Sequence, residues 1–289
     1  MIIEEGKGSI TLKEVRDFEL KHIFECGQCF RWDVIDDGSY IGIAASKAIK
    51  ISETDDGITI YNTTKDEFTD FWQNYFDLDF DYGKLKRTLS KDRVLKTAIK
   101  SGEGIRILNQ DLWECIISFI ISANNNIPRI KGIIKTFCEL FGEKVILGED
   151  VLYSFPSPER LSTITVDDLK PLHAGYRDKY IIDAIEKVSN GIVSLEVIKE
   201  KDYDEAKGEL LKIKGVGNKV ADCILLFGAG KKEAFPVDVW IKRVIDTLYK
   251  DELGEKDISV FAKEKFGKFG GYAQQYLFYH MRENHNKGM

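Results

Sequence analysis

Residues 210–223 read LLKIKGVGNKVADC. An amphipathic helix ends at Leu210-Leu211, Gly215-Val216-Gly217 makes a tight turn, and a second helix opens near Asn218, burying Val220, Ala221, Ile224 and Leu225. This pattern predicts a helix-hairpin-helix over roughly residues 203–228. Glycines at 215 and 217 let the backbone turn sharply and let another molecule approach it closely. The first amides of the new helix lack intrahelical partners and lie at the positive end of its dipole, so they form an anion site suited to phosphate. Lys207, Lys212, Lys214 and Lys219 surround the turn, against Glu205 and Glu209. A cationic patch is therefore expected here; the plainer alternative is a glycine-containing helix connection.

Lys219 falls in the first turn of the second helix, where the dipole disfavours an ammonium. With partial burial, that field predicts a lowered pKa and makes Lys219 a candidate nucleophile able to form a Schiff base with an electrophilic carbon. The alternative is a solvated lysine paired with Asp222 at i+3. Farther on, FPVDVWIKRV (235–244) places Asp238 ahead of a helical period at Ile241, Val244, Ile245 and Leu248, so it is a good N-cap. A carboxylate oriented by capping can stabilise a developing sugar cation and move protons. Capping alone would also explain it.

The rest of the chain divides once in character, between about residues 77 and 95. Before that, Ile49 and Ile51, then Ile58 and Ile60, alternate with polar residues around Asp55-Asp56-Gly57, predicting a hairpin. Residues 38–45 form another apolar run. Thr64 and Glu67 form a capping box ahead of Phe68, Phe71, Trp72, Tyr75 and Phe76, a core-facing helical stripe. After the division, DLWECIISFIISA (111–123) reads as a buried helix and Asn124-Asn125-Asn126 interrupts it. Ile127, Ile130, Ile134, Phe137 and Phe141 start another, with Pro128 in its first turn. Tyr176, Tyr180, Ile181, Ala184 and Val188 give a further one, ended by Asn190-Gly191. The segments 218–227, 239–249 and 272–282 complete the helices. The expected fold class is α+β: an antiparallel-sheet domain over 1–95 with flanking helices, then an all-helical region over 96–289.

The chain has 289 residues, 43% hydrophobic and 31% charged, enough apolar content for one large or two modest cores. No run is long enough to span a bilayer, and Met1-Ile2-Ile3-Glu4-Glu5 is no secretory signal. Five cysteines, an odd number, argue against a disulfide framework and for a reducing compartment, so a cytoplasmic location is expected. A net charge of −6 speaks against non-specific coating of nucleic acid, although a local cationic face remains compatible with it.

Six ordered blocks carry a resemblance: CGQCFRW (26–32), SANNNIPRI (122–130), GYR (175–177), KGVGNKVADC (214–223), FPVDV (235–239) and GYAQQYLF (271–278). Together they resemble the 8-oxoguanine DNA glycosylase/AP lyases of the helix-hairpin-helix (HhH-GPD) superfamily, over nearly the whole chain. The resemblance implies two helical lobes with the active site between them and a lesion-pocket helix over about 271–283. It implies a monomeric base-excision repair enzyme acting on double-stranded DNA. Lys219 would attack C1′ of the damaged nucleotide, the imine would allow β-elimination, and Asp238 would stabilise charge. Gly27, through its carbonyl, Cys223, Pro236, Gln274 and Phe278 would hold the flipped base. Asn124, Arg129, Tyr176, Arg177, Gly215, Gly217 and Val239 would contact DNA, the two arginines reading a cytosine opposite the lesion. Taken by themselves, Gly27 could simply make a turn, Asn124 could cap a helix, the arginines could be solvated surface, and Cys223 and Phe278 could be core.

The resemblance further implies a structural sodium, potassium or calcium ion on the carbonyls of Leu211, Ile213 and Val216, and no cofactor for catalysis. No zinc spacing is present, and the four-cysteine iron–sulfur cluster of the endonuclease III subfamily has no counterpart. Trp240 departs from the family, whose better-known members place a histidine there near a phosphate. Two rivals remain. A 3-methyladenine-type glycosylase generally lacks the lysine. A non-catalytic helix-hairpin-helix DNA-binding module would leave Lys219, Asp238, Cys223, Gln274 and Phe278 together by coincidence.

Overall fold

The computed structural model describes residues 1–287; positions 288 and 289 of the expected helical region lie outside the described residues. Alternating apolar residues in the first part give six strands, β1 (Ile2–Gly6), β2 (Ser9–Lys13), β3 (Trp32–Val34), β4 (Tyr40–Ala44), β5 (Lys47–Thr54) and β6 (Gly57–Tyr61). They form one antiparallel sheet in the order β1-β2-β6-β5-β4-β3. The expected hairpin closes β5 on β6, with Thr54 opposite Gly57 and Ile51 opposite Ile60. Ile49, Ile51, Ile58 and Ile60 are buried on one face. A one-residue slip would turn them all to solvent, so burial fixes the register.

That face packs against the aromatic helix. Thr64 Oγ1 accepts the Glu67 amide at 3.2 Å. The Glu67 carboxylate turns to Lys47 and Thr63 instead of returning to the Thr64 amide, so only half of the capping box forms. The helix takes a π-turn over Phe68–Trp72. Phe68, Trp72 and Phe76 are fully buried while Phe71 is left half-buried.

The second core is helical and centred on Leu112–Ser122, buried as expected except at Ser122 and at Glu114, which pairs with Arg31 at 3.0 Å. Around it pack Ile127–Phe141, Arg177–Ser189, Tyr203–Leu210, Asn218–Gly228, Val239–Leu248 and Gly270–Lys287. Helices Tyr82–Leu89 and Arg93–Ser101 bury Leu85, Leu89, Leu95 and Ile99 in this same core. The region is not all helical, contrary to the sequence reading. Lys144–Leu147 and Asp150–Tyr153 form a two-stranded hairpin, and Leu147 packs on Ile43 and Ala48 of the sheet. The runs VIL and VLY flank Gly148-Glu149-Asp150, but three apolar residues on each side are too few to show a period.

Candidate active site

The helix-hairpin-helix is present, with helices Tyr203–Leu210 and Asn218–Gly228. Gly215 has φ +83°, and a Cβ there would lie 2.3 Å from the Tyr180 ring. Gly217 is the N-cap and contributes no side-chain cap, so the opening amides of the second helix are left for an external acceptor. Nothing lies within 4 Å of the position a Cβ would take at Gly217. Gly215→Ala should therefore lower stability by roughly 1–3 kcal/mol, from strained φ and overlap with Tyr180. Gly217→Ala should cost little. Thermal melts compare the two, and equal losses would contradict this account of the turn.

The cationic patch is weaker than its composition suggests. Lys207 pairs with Asp222 at 2.8 Å, Lys212 with Glu209 at 2.5 Å, and Lys214 with Asp183 at 3.3 Å. Asp183, on the neighbouring helix, also accepts the Lys214 amide at 2.8 Å and so anchors the turn. These pairings leave the backbone amides as the main phosphate-seeking feature. The Ile213 carbonyl accepts the Val216 amide at 3.2 Å within the same turn.

Lys219 does not pair with Asp222, whose carboxylate is taken by Lys207 and by the Tyr203 hydroxyl at 2.6 Å. Its side chain is half-buried, with Nζ 5.9 Å from the centre of the Phe119 ring and Cys223 one turn along the same helix. Asp238 caps Val239–Leu248, its Oδ1 accepting the Trp240 and Ile241 amides at 3.0 and 2.8 Å. Pro236 is buried just before it, while Val239 is 67% exposed beside the cap. The expected depression of the Lys219 pKa is corrected. Attraction to an ionised Cys223 sulfur, and to the Asp238 carboxylate, raises the Lys219 pKa above the ordinary lysine value against the pull of burial; where Cys223 is still a thiol, Asp238 is the charged partner. The sequence reading counted burial and dipole but not the acidic partners that the fold brings to the nitrogen. Burial pushes the Cys223 thiol up, opposed by Lys219. Burial likewise pushes the Asp238 carboxyl up, opposed by the helix amides and Lys219. The resting lysine is thus a cation that would have to give up a proton before it could act as a nucleophile.

A second group lies where helix Gly270–Lys287 meets the segment 25–28. Gly27 has φ +82°, and a Cβ there would touch the Phe278 ring at 3.4 Å. Phe278 is half-buried and Gln274, one turn earlier, is buried with Oε1 lacking a hydrogen-bond partner. A buried amide oxygen without a partner costs free energy in the empty protein and suits an N–H donor on a ligand. The 25–28 segment is held from several sides. Arg282 donates to the Glu25 carbonyl, Gln275 to that of Cys26 at 2.8 Å, and Gln110 to that of Gln28 at 2.7 Å. The buried Gln28 side chain donates to the Ile23 and Arg106 carbonyls at 2.9 and 2.7 Å and accepts the Leu108 amide at 2.9 Å. Gln28, Gln275 and Arg282 were not singled out from sequence. The glutamine within CGQC was the available signal, since a buried amide must satisfy several hydrogen bonds at once.

Asn124, Arg129, Tyr176 and Arg177 come together at the interruption after Leu112–Ser122. Asn124 has φ +50°, in the left-handed region. Asn126, not Asn124, caps the next helix, accepting the Arg129 amide at 3.0 Å. Arg129 is exposed and donates to the His173 carbonyl at 2.9 Å. Tyr176 precedes Arg177–Ser189 and is 51% exposed, so it is not part of the helix's apolar stripe. Arg177 is buried instead of solvated. Its guanidinium donates to the carbonyls of Ala123, Ala174 and Asn124 and stacks 4.6 Å from the Tyr176 ring. In this structure Arg177 shapes the loop that carries Asn124.

Comparison with known proteins identifies the family. The family described as "8-oxoguanine DNA glycosylase, N-terminal domain" matches residues 10–116, and "HhH-GPD superfamily base excision DNA repair protein" matches residues 117–264. The structure is similar to a Clostridium acetobutylicum 8-oxoguanine glycosylase/lyase solved with double-stranded DNA containing cytosine opposite 8-oxoguanine. The TM-score is 0.95 and the identity 46%, covering 99% of each chain. A probable N-glycosylase/DNA lyase of Methanothermobacter thermautotrophicus is 34% identical over 72% of this chain and 73% of its own. The N-glycosylase/DNA lyase of Saccharomyces cerevisiae is 29% identical over 94% and 85%. The chain belongs to the 8-oxoguanine glycosylase/lyase family within the HhH-GPD superfamily of base-excision DNA repair proteins.

Proposed function

We propose that this protein excises 8-oxoguanine from double-stranded DNA and then cleaves the strand at the resulting site. The observation that carries the reading is the half-buried Lys219 in the first turn of the hairpin's second helix, beside the Phe119 ring, together with the Asp238 carboxylate fixed by its helix cap. After losing a proton, Lys219 Nζ attacks C1′ of the extruded nucleotide. The bond from C1′ to the base nitrogen breaks, and its electrons leave with the base, which takes up a proton. Positive charge developing on the sugar is stabilised by the capped Asp238 carboxylate. The C1′–O4′ bond then breaks, its electrons leaving on O4′, which takes up a proton as Nζ loses one, and an imine forms. A C2′ proton is next lost to a base, and the C3′–O bond breaks with its electrons leaving on the 3′ phosphate. No external oxidant or metal is needed to balance these steps.

We assign Phe278 to stack on the extruded base, Gln274 to bond its edge, the Gly27 carbonyl to accept its N7 hydrogen, and Cys223 and Pro236 to wall the pocket. Extrusion costs a few kcal/mol and leaves an orphaned partner. We assign Asn124 to fill the gap, Tyr176 to wedge beside the partner base, and Arg129 with Arg177 to bond a cytosine there. Arg177 would have to exchange at least one carbonyl partner to do so. The amides near Gly215, Gly217 and Val239 would hold phosphates. The carbonyls of Leu211, Ile213 and Val216 would hold a sodium, potassium or calcium ion. Neutral main-chain oxygens on a turn fit such hard cations, although Ile213 would share its oxygen with the Val216 amide. The catalytic steps assigned to Lys219 and Asp238 do not pass through that ion. A cytoplasmic location is proposed with the repair role; among the described residues no helix is long and apolar enough to cross a membrane.

A nicking assay on duplexes holding 8-oxoguanine opposite each of the four bases tests the reading. Cleavage is expected, fastest opposite cytosine, with a preference on the order of tenfold or more if the arginines act as bidentate readers. Equal turnover opposite adenine and cytosine would remove the assignment of Arg129 and Arg177. No cleavage opposite any base would remove the enzyme.

A further inference from the structure

The four carbonyls of Glu25, Cys26, Gly27 and Gln28 run consecutively beside the pocket helix, and three of them are claimed. Arg282 takes the first, Gln275 the second and Gln110 the fourth. Among the described residues no hydrogen bond reaches the third, Gly27. Two of the three donors sit on the same helix as Gln274 and Phe278, so one rigid element presents the base-stacking ring and also sets which backbone oxygen stays open. We propose that Arg282, with Gln275, is a positioning residue for lesion specificity: it registers the 25–28 turn so that only the Gly27 carbonyl is left to accept the N–H that distinguishes the damaged purine.

Arg282 suits this work. Its guanidinium lies 5.7 Å from the centre of the Phe278 ring and 5.5 Å from that of Tyr279. One of its nitrogens lies 3.8 Å from where a Gly27 Cβ would be. The planar group therefore fixes the ring, the helix and the turn together, which a flexible ammonium does less well. Its side chain is 16% exposed, and the nitrogen that bonds Glu25 at the rim of the site also lies 3.6 Å from the Glu283 carboxylate, which steers the guanidinium. A shift of one residue in register, or of about 1 Å in position, would offer the base an oxygen that is misplaced or already occupied. An undamaged guanine presents a lone pair at N7 and gains nothing from the same oxygen.

This inference rests on the proposed excision activity, and the protein supplies an internal control. Cleavage at a preformed abasic site needs Lys219 but no base, so the ratio of 8-oxoguanine excision to abasic-site cleavage isolates base recognition. Arg282→Met should lower that ratio about tenfold or more, mainly through the maximal single-turnover rate. Arg282→Lys, which keeps a donor and the charge, should recover part of it. A ratio unchanged in Arg282→Met, or a parallel fall of both activities in Arg282→Met and Arg282→Lys alike, would overturn the proposal and leave Arg282 a packing residue. If Arg282→Met does not fold, Gln275→Leu tests the same register through the Cys26 carbonyl, with the same two outcomes. Failure of wild-type protein to excise the lesion would instead refute the activity itself.

Discussion

Replacing Lys219 by glutamine should lower excision of 8-oxoguanine by roughly 10⁴-fold or more while leaving duplex binding within a few-fold of wild type. The glutamine amide is close in length but is not a nucleophile, so no imine forms and no protein–DNA adduct should be trapped by borohydride. Binding should persist because the phosphate-seeking groups are backbone amides at the helix start, which the substitution does not touch. Attraction to an ionised Cys223 sulfur and to the Asp238 carboxylate raises the Lys219 pKa above its ordinary value. A raised pKa favours the charged form, so at neutral pH only a small fraction of wild-type molecules carry the attacking amine. Single-turnover excision should therefore climb with pH from neutrality into mildly alkaline buffer, and Lys219→Gln should lose that slope with the activity. A trapped adduct with Lys219→Gln, or excision retained within tenfold, would place the nucleophile elsewhere. Retained excision without a trapped adduct would favour a water-using glycosylase.

The same lysine shows how far sequence reading reaches. Its position in a helix-hairpin-helix was legible because glycine spacing, helical period and capping residues all act locally. The β5–β6 hairpin and the buried helix Leu112–Ser122 were legible for the same reason. The electrostatic state of Lys219 was not legible, since it depends on Asp238 arriving from nineteen residues away (238 − 219) and on the thiol one turn along. The plainer alternative for Arg177, a solvated surface residue, falls on similar grounds. An arginine beside a tyrosine reads as surface until the loop at 123–124 folds over it and supplies carbonyls for its guanidinium. Gln28 and Arg282 have long-range roles, joining segments about 80 and 257 residues apart. The resemblance supplied Gly27, Gln274 and Phe278 as a set. The structure adds why they belong together: a positive-φ glycine packs against the ring, and a buried amide oxygen lacks a partner.

Asp238→Asn should separate chemistry from stability more cleanly than any other change at the site. Asparagine caps a helix about as well as aspartate, and its amide oxygen can accept the Trp240 and Ile241 amides now bonded to Oδ1. The cap should therefore survive to within about 1 kcal/mol. The charge will not. Burial raises the Asp238 carboxyl above its unfolded value despite the amides and Lys219. A group whose pKa rises on folding favours the folded state below its unfolded pKa and loses that contribution as pH rises through the folded value. Wherever it is ionised the carboxylate is thus a cost to folding, which the role proposed for it at a sugar cation would account for. The melting temperature of Asp238→Asn should hold or rise at neutral pH, and the advantage should fade in acid. Single-turnover excision should fall roughly 10²–10³-fold, the scale of losing one preorganised charge at a reacting centre. If instead the variant melts well below wild type and its rate follows the folded fraction, Asp238 is a helix cap and nothing more.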